Sequence, residues 1–166
     1  KNIIKFIRQR KIIKAEELIL FGGEPILPQN VDTINEVMKL FDDLKIESLT
    51  VITNGYHIGD MIDIFMPINA KFQITLDGTQ DVHDARRFDI KTKKSFKKIM
   101  SNVHYLLKNN FKVELRINVD HKNYQDIPAL FSYFVTHNLD KNTHFYPYIA
   151  YIFDYGNYKQ EITPVE

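Results

Sequence analysis

The segment Phe21-Gly22-Gly23-Glu24-Pro25 closes the apolar run Leu18-Ile19-Leu20 with two glycines, a carboxylate and a proline. Glycines at 22 and 23 let a ligand approach the backbone without meeting a Cβ, and Glu24 could hold a ligand ammonium. A tight strand-to-helix turn with a solvent-facing glutamate is the rival reading. Asn54-Gly55 closes a second apolar run, Leu49 to Thr53. It is a common turn dipeptide, and its side-chain amide could also meet a ribose or a carboxylate.

The densest segment is Thr75-Leu76-Asp77-Gly78-Thr79-Gln80-Asp81-Val82-His83-Asp84-Ala85-Arg86-Arg87. An arginine here could form a bidentate pair with a substrate carboxylate or phosphate, oriented by neighbouring acids. The same residues could equally build an internal salt-bridge and capping network that orders the loop. A hard-metal site at His83 with Asp77, Asp81 and Asp84 is disfavoured, since no second histidine sits at useful spacing and the arginines oppose a cation. Arg116 and Asn118 lie two apart on one strand and share a face, with Leu115 and Ile117 on the other. A charge directed into a barrel interior is expensive unless paired, so Arg116 is expected to face a ligand or Glu24.

These residues need a scaffold that gathers them. Apolar runs rich in β-branched residues alternate with segments of helical period, the pattern of parallel strands joined by crossover helices. The expected strands are Glu17 to Phe21, Leu49 to Thr53, Lys71 to Leu76, Lys112 to Val119 and a weaker one within His144 to Ala150. Helices are expected over Val31 to Leu44, Ile58 to Phe65, a stretch carrying Phe96, Ile99, Met100, Val103, Leu106 and Leu107, and about Tyr124 to His137. Residues Ile3 to about Arg10 read as the end of a helix. In parallel α/β folds ligands gather at the carboxyl ends of the strands. The unusual residues follow the strands, so one rim is expected to hold them.

The chain has 166 residues, 44% hydrophobic and 26% charged, which suits one soluble domain spanning 1–166. Its 22 basic and 21 acidic residues leave a formal charge of +1, so no global field favours nucleic acid or an anionic membrane. No apolar run approaches the roughly 18 residues of a bilayer span, and the opening residues lack a signal-peptide core. A cytosolic protein is expected. The basic cluster Lys91, Lys93, Lys94, Lys97 and Lys98 reads as a solvated face, and the late aromatic band from Phe145 to Tyr155 as packing. There is no cysteine, hence no thiolate-bound cluster within these residues. The start at Lys1 suggests a piece of a longer protein. No Walker loop, G-x-G-x-x-G, G-x-S-x-G or H-E-x-x-H occurs.

Taken together, Phe21-Gly22-Gly23-Glu24-Pro25, Ile52-Thr53-Asn54-Gly55, Ile74-Thr75-Leu76-Asp77-Gly78 with His83-Asp84-Ala85-Arg86-Arg87, and Arg116-Ile117-Asn118-Val119-Asp120 resemble the radical S-adenosylmethionine superfamily. The closest resemblance is to its peptide- and protein-modifying branch with SPASM or twitch extensions, which includes anaerobic sulfatase-maturating enzymes. The resemblance implies a partial (β/α) barrel of about five units, without its first strand and cluster loop. It also implies a rim where Gly22, Gly23 and Glu24 receive the methionine amino group and Thr75 lies near the ribose. Asn54, Asp77, Arg87, Arg116 and Asn118 complete the expected cofactor-binding set. No catalytic residue and no metal ligand is assigned.

The C-x-x-x-C-x-x-C loop of the family is absent, so a [4Fe-4S] cluster and S-adenosylmethionine are expected in the parent protein and the residues alone are expected to be inactive. A peptide or protein substrate is implied, and an uncovered sheet edge suggests self-association. Two alternatives stand beside this reading. One is a degenerate paralogue serving as a noncatalytic peptide-binding module; the other is an unrelated α/β barrel enzyme acting on a phosphorylated molecule.

Overall fold

Alternation of apolar and polar residues at period two gives each strand one face that must be buried and one that need not be. The computed structural model describes residues 6, 9–10, 16–44, 46–68, 70–87 and 94–152, without the side chains of 40–43. Strands β1 (Glu17–Leu20), β2 (Ser48–Thr53), β3 (Ala70–Leu76), β4 (Lys112–Val119) and β5 (Phe145–Tyr151) form one sheet in the order β1-β2-β3-β4-β5. Every neighbouring pair is parallel. The expected strands are thus present, each within about a residue or two of its expected bounds, as hydrogen-bond criteria allow at element ends.

In β3, Ala70, Phe72, Ile74 and Leu76 are buried while Lys71, Gln73 and Thr75 remain half-buried on the opposite face. The register aligns Phe72 with Val51 and Val113, and Ile74 with Leu115, so the buried residues form continuous rows across the sheet. Against those rows pack helices α1 (Val31–Leu44), α2 (Ile58–Met61), α4 (Phe96–Lys108) and α5 (Ile127–Thr136). Phe72 sits at the centre, edge-on to both Phe65 and Phe111.

In α4 the stripe Phe96, Ile99, Met100, Val103, Leu106 and Leu107 is buried, as its spacing requires. Both α4 and α5 end in an asparagine with left-handed φ, Asn110 at 62° and Asn138 at 56°. Phe111 N then donates to Leu106 O at 3.1 Å and Leu139 N to Phe134 O at 2.9 Å, closing the orphan carbonyls of the last turn. The buried Phe111 and Leu139 that follow anchor each exit to the core.

Two helices differ from expectation. The helix from Ile58 keeps α geometry only to Met61, whose φ of −134° opens the turn, and continues as a 3-10 segment over Ile62–Ile64. The charged segment after β3 contains a short helix, α3 (Gln80–Arg86), whose single buried residue, His83, gives too little apolar period to be read from sequence. Most of the Ile3–Arg10 helix, Lys91, Lys93, Phe153 and Tyr155 lie outside the described residues.

Phe72 is fully buried between two aromatic rings, so Phe72→Ala is expected to lower unfolding stability by about 3–5 kcal/mol. Urea denaturation followed by circular dichroism measures this; a loss below about 1 kcal/mol contradicts the central position given to the ring.

Candidate functional site

At the end of β1 the chain turns through Gly22 (φ 99°) and Gly23 (φ 46°), both in the region that favours glycine. A Cβ added at either would meet no atom within 4 Å. The glycines are therefore required by backbone conformation and not by crowding, and the space before them is open. Glu24 is not the free carboxylate expected of a ligand-binding residue. Its Oε1 accepts from Ile26 N at 3.0 Å and from Thr53 Oγ1, and its Oε2 accepts from Asn54 N at 2.7 Å. The side chain fastens the diglycine turn to the end of β2, leaving the turn's backbone as what the segment presents to a ligand.

The β2 loop is itself fixed from two sides. Asn54 Oδ1 accepts from Tyr56 N at 2.8 Å, an Asx turn, so the turn and ligand readings of Asn54-Gly55 are compatible: the amide nitrogen remains for a ligand. Gly55 has φ 82°, and a Cβ there would lie 2.7 Å from Ile74 Cγ2. From α4, the buried Asn102 donates to Gly55 O at 2.7 Å and Tyr56 O at 2.9 Å. Sequence reasoning missed Asn102; the available signal was a polar residue within the apolar stripe of an otherwise amphipathic helix.

The β3 loop is dominated by an internal network. Asp77 Oδ2 accepts from Arg87 Nε at 2.7 Å and lies 3.7 Å from Arg86 Nε, while Oδ1, also buried, has no partner among the described residues. Arg86 forks onto Asp120 at 3.1 and 2.6 Å, and its hydrogen bond holds the Asp120 carboxyl below the ordinary carboxylate range. Asn123, which neither residue type nor spacing marks as a structural tie, donates to Asp77 O at 2.7 Å and Asn118 O at 2.8 Å, joining β3 to β4. Asp126 accepts from both the amide and the hydroxyl of Thr79. Arg87 is more exposed, and its terminal nitrogens have no partner among the described residues.

His83 belongs to that network and not to a metal site. Its Nδ1 accepts from Asp77 N at 3.2 Å, and its Nε2 faces Ser95 Oγ at 3.0 Å, whose own proton goes to Arg87 O. Burial pushes its pKa from 6.5 down to about 4, against the opposing pull of Asp77 and Asp84. The ring is neutral and doubly engaged, unsuited to proton transfer. Asp84 caps α4 by accepting from Ser95 N and Phe96 N, each at 2.8 Å. Among the described residues no group of three or more metal-ligating side chains is placed to hold a metal.

The inner face of the sheet supplies the remaining candidates. The register sets Thr75 level with Arg116, and Arg116 level with Tyr148. Arg116 Nε donates to Asn118 Oδ1 at 3.1 Å. Of the two roles expected for it, contact with Glu24 is not seen, and the terminal guanidinium nitrogens are left without a partner among the described residues. The rim thus joins an open backbone turn, a hydroxyl at Thr75 and a charged fork at Arg116. That set can bind a ligand bearing an ammonium, hydroxyls and a carboxylate; it contains no activated nucleophile.

Comparison with known proteins agrees with this arrangement. The family model described as the radical SAM superfamily matches residues 1–134. A cysteine-type anaerobic sulfatase-maturating enzyme of Clostridium novyi (strain NT) is 35% identical over 124 residues, covering 70% of this chain and 32% of that protein. The chain therefore spans about a third of the length of this curated relative. Native anSMEcpe with bound AdoMet superposes with a TM-score of 0.74 at 17% identity, covering 93% of this chain and 43% of that one. Native anSMEcpe with AdoMet and the Kp18Cys peptide gives 0.69 at 17%, covering 86% and 41%. SuiB of Streptococcus suis bound to S-adenosylmethionine gives 0.61 at 15%, covering 91% and 33%. These likenesses establish the fold as the core of the partial barrel.

Because the folded state holds His83 neutral, protonation favours the unfolded chain. The contribution is fully present above pH 6.5 and is lost as pH falls toward 4, by about 3 kcal/mol in all. Unfolding free energies measured between pH 7.5 and 4.5 should fall accordingly, and a His83→Gln variant should lose most of that slope. An unchanged slope in the variant rules out this origin.

Proposed function

This chain belongs to the radical SAM superfamily, and from that premise we propose that its carboxyl-end rim is the S-adenosylmethionine site of a longer protein that modifies a peptide or protein side chain. The observation that carries the reading is the diglycine turn, open in front and clamped by Glu24 to the β2 loop. An absent Cβ at two successive positions is what a close-lying methionyl group requires. In the longer protein a reduced [4Fe-4S] cluster would supply the electron that lets bound S-adenosylmethionine do hydrogen-abstraction chemistry on the substrate.

The chain's own residues bind and orient. In this proposal the backbone at Gly22 and Gly23 receives the methionyl ammonium, with Glu24 holding the turn in place. Thr75 meets the ribose, and the Arg116 fork pairs with the carboxylate, steadied by Asn118. Asn54 and Arg87 border the ligand with their unused nitrogens, and Asp77 orients Arg87. The 166 residues contain no cysteine, so they do not fit the cluster and no step through it is assigned to them. The peptide substrate is proposed on the likeness to a sulfatase-maturating enzyme and to anSMEcpe with a bound peptide. No described helix is long and apolar enough to cross a membrane. A reducing cytoplasm is the compartment that this chemistry favours.

The test is a titration of S-adenosylmethionine into the full-length protein with its cluster reconstituted, in parallel with the 166-residue chain. Thr75→Val and Arg116→Ala are each expected to raise Kd about tenfold, about 1.4 kcal/mol, with unchanged circular dichroism. The 166-residue chain is expected to bind weakly. Submicromolar binding by that chain without iron, or full-strength binding by both variants, contradicts the assignment.

The same reading includes self-association along β1, an edge strand among the described residues, where Ile19 (50%) and Phe21 (77%) are exposed. Sedimentation velocity of the 166-residue chain should show a coefficient rising with concentration; a single monomeric boundary throughout excludes it.

A further inference from the structure

Below the rim, the inner face of the sheet carries polar side chains, and at its next level two of them bond to no other described residue. The register places Ile52 beside Gln73, Gln73 beside Glu114, and Glu114 beside Tyr146, one same-face step beneath Thr75, Arg116 and Tyr148. Glu114 is committed, its Oε1 lying 3.2 Å from Lys71 Nζ. Gln73 and Tyr146 are not. The Gln73 amide is half-buried and has no hydrogen-bond partner among the described residues, and the Tyr146 phenol, on a residue 49% exposed, has none either.

The two levels differ in charge. The upper one carries Arg116, whose terminal guanidinium nitrogens have no partner among the described residues, and suits an anionic group. In the lower one the Lys71–Glu114 pair cancels, so what remains for a ligand is a neutral amide, a phenol and the aliphatic Ile52. A phosphorylated molecule finds no free cation at this level. An apolar molecule would strip water from the Gln73 amide and offer nothing in return. A peptide backbone fits: a primary amide donates to its carbonyl and accepts from its N–H at the same time. Gln73 and Tyr146 stand two strands apart, roughly 10 Å, which is about three residues of extended chain.

We infer that Gln73 and Tyr146 are substrate-specificity residues that grip the backbone of an extended peptide laid across the inner face of the sheet, beneath the rim. The inference rests on the reading of the rim as the S-adenosylmethionine site, and it adds, below that site, the level that selects a peptide.

The experiment uses the full-length protein with its cluster reconstituted and fluorescein-labelled Kp18Cys peptide as probe, read by anisotropy, with S-adenosylmethionine binding measured separately by equilibrium dialysis. Gln73→Leu is expected to raise the peptide Kd about tenfold and Tyr146→Phe about threefold, with S-adenosylmethionine affinity unchanged within about twofold. Should Gln73→Leu fail to fold, Gln73→Glu keeps the shape, removes the donors, and should weaken the peptide likewise. Unchanged peptide affinity in Gln73→Glu and Tyr146→Phe, or a wild-type protein that binds S-adenosylmethionine and not the peptide, overturns the inference. A wild-type protein that binds the peptide through these residues and not S-adenosylmethionine upholds it and strikes the reading of the rim instead.

Discussion

The carboxyl ends of strands β1 to β4 are held in place by a few buried or half-buried polar side chains that each join two elements. Glu24 joins the β1 turn to β2, Asn102 joins the β2 loop to α4, and Asn123 joins the β3 loop to β4. Loops at a sheet's end otherwise leave backbone groups without sheet partners. A side-chain amide or carboxylate that accepts or donates twice satisfies those groups and fixes the distance between the loops at once. The open diglycine turn, the Thr75 hydroxyl and the Arg116 fork hold their relative positions only because these ties do.

Charge is distributed in the same spirit. Arg86 with Asp120 and Arg87 with Asp77 form two charge-assisted hydrogen-bonded pairs around the β3 loop, bridged by the 3.7 Å approach of Arg86 to Asp77, so the buried acids have cationic partners. Such a network is expensive to break at one member, because the others remain desolvated. It orders the short helix α3 and presents Arg87 outward. The neutral His83 beneath it shows how completely the loop is committed to structure: both ring nitrogens are used, and burial removes its charge.

The two faces of the sheet follow opposite rules. Rows such as Val51, Phe72 and Val113 are packed under helices and close the core, whereas Lys71, Gln73, Thr75, Glu114 and Arg116 line the other face without entering it. A barrel filled by apolar layers would leave no room for a ligand. Here the inner face carries a polar side chain at each level beside aliphatic Ile52, with Lys71 and Glu114 paired in the middle and Arg116 at the rim.

Strand positions, the long amphipathic helices and the grouping of unusual residues after strands were all legible in the sequence, because period and turn residues are local properties. Gly22-Gly23 announced an open turn, and its positive φ values agree. What the sequence left undecided was which polar residues serve the ligand and which serve the fold. The carboxylate of Glu24, a candidate ligand group, also ties the diglycine turn to the β2 loop; the segment from Asp77 to Arg87, which admitted both roles, carries an internal network; Asn102 and Asn123 gave little sign of their importance. The physical reason is that a hydrogen bond needs two partners, and the bonds that make these residues ties reach far along the chain: 46 or 47 residues for Asn102 and for Asn123 to Asp77, and 29 and 30 for Glu24 to the β2 loop. Residue type and spacing determine where a strand ends and what it can offer, and only the folded register decides which of those offers is already taken.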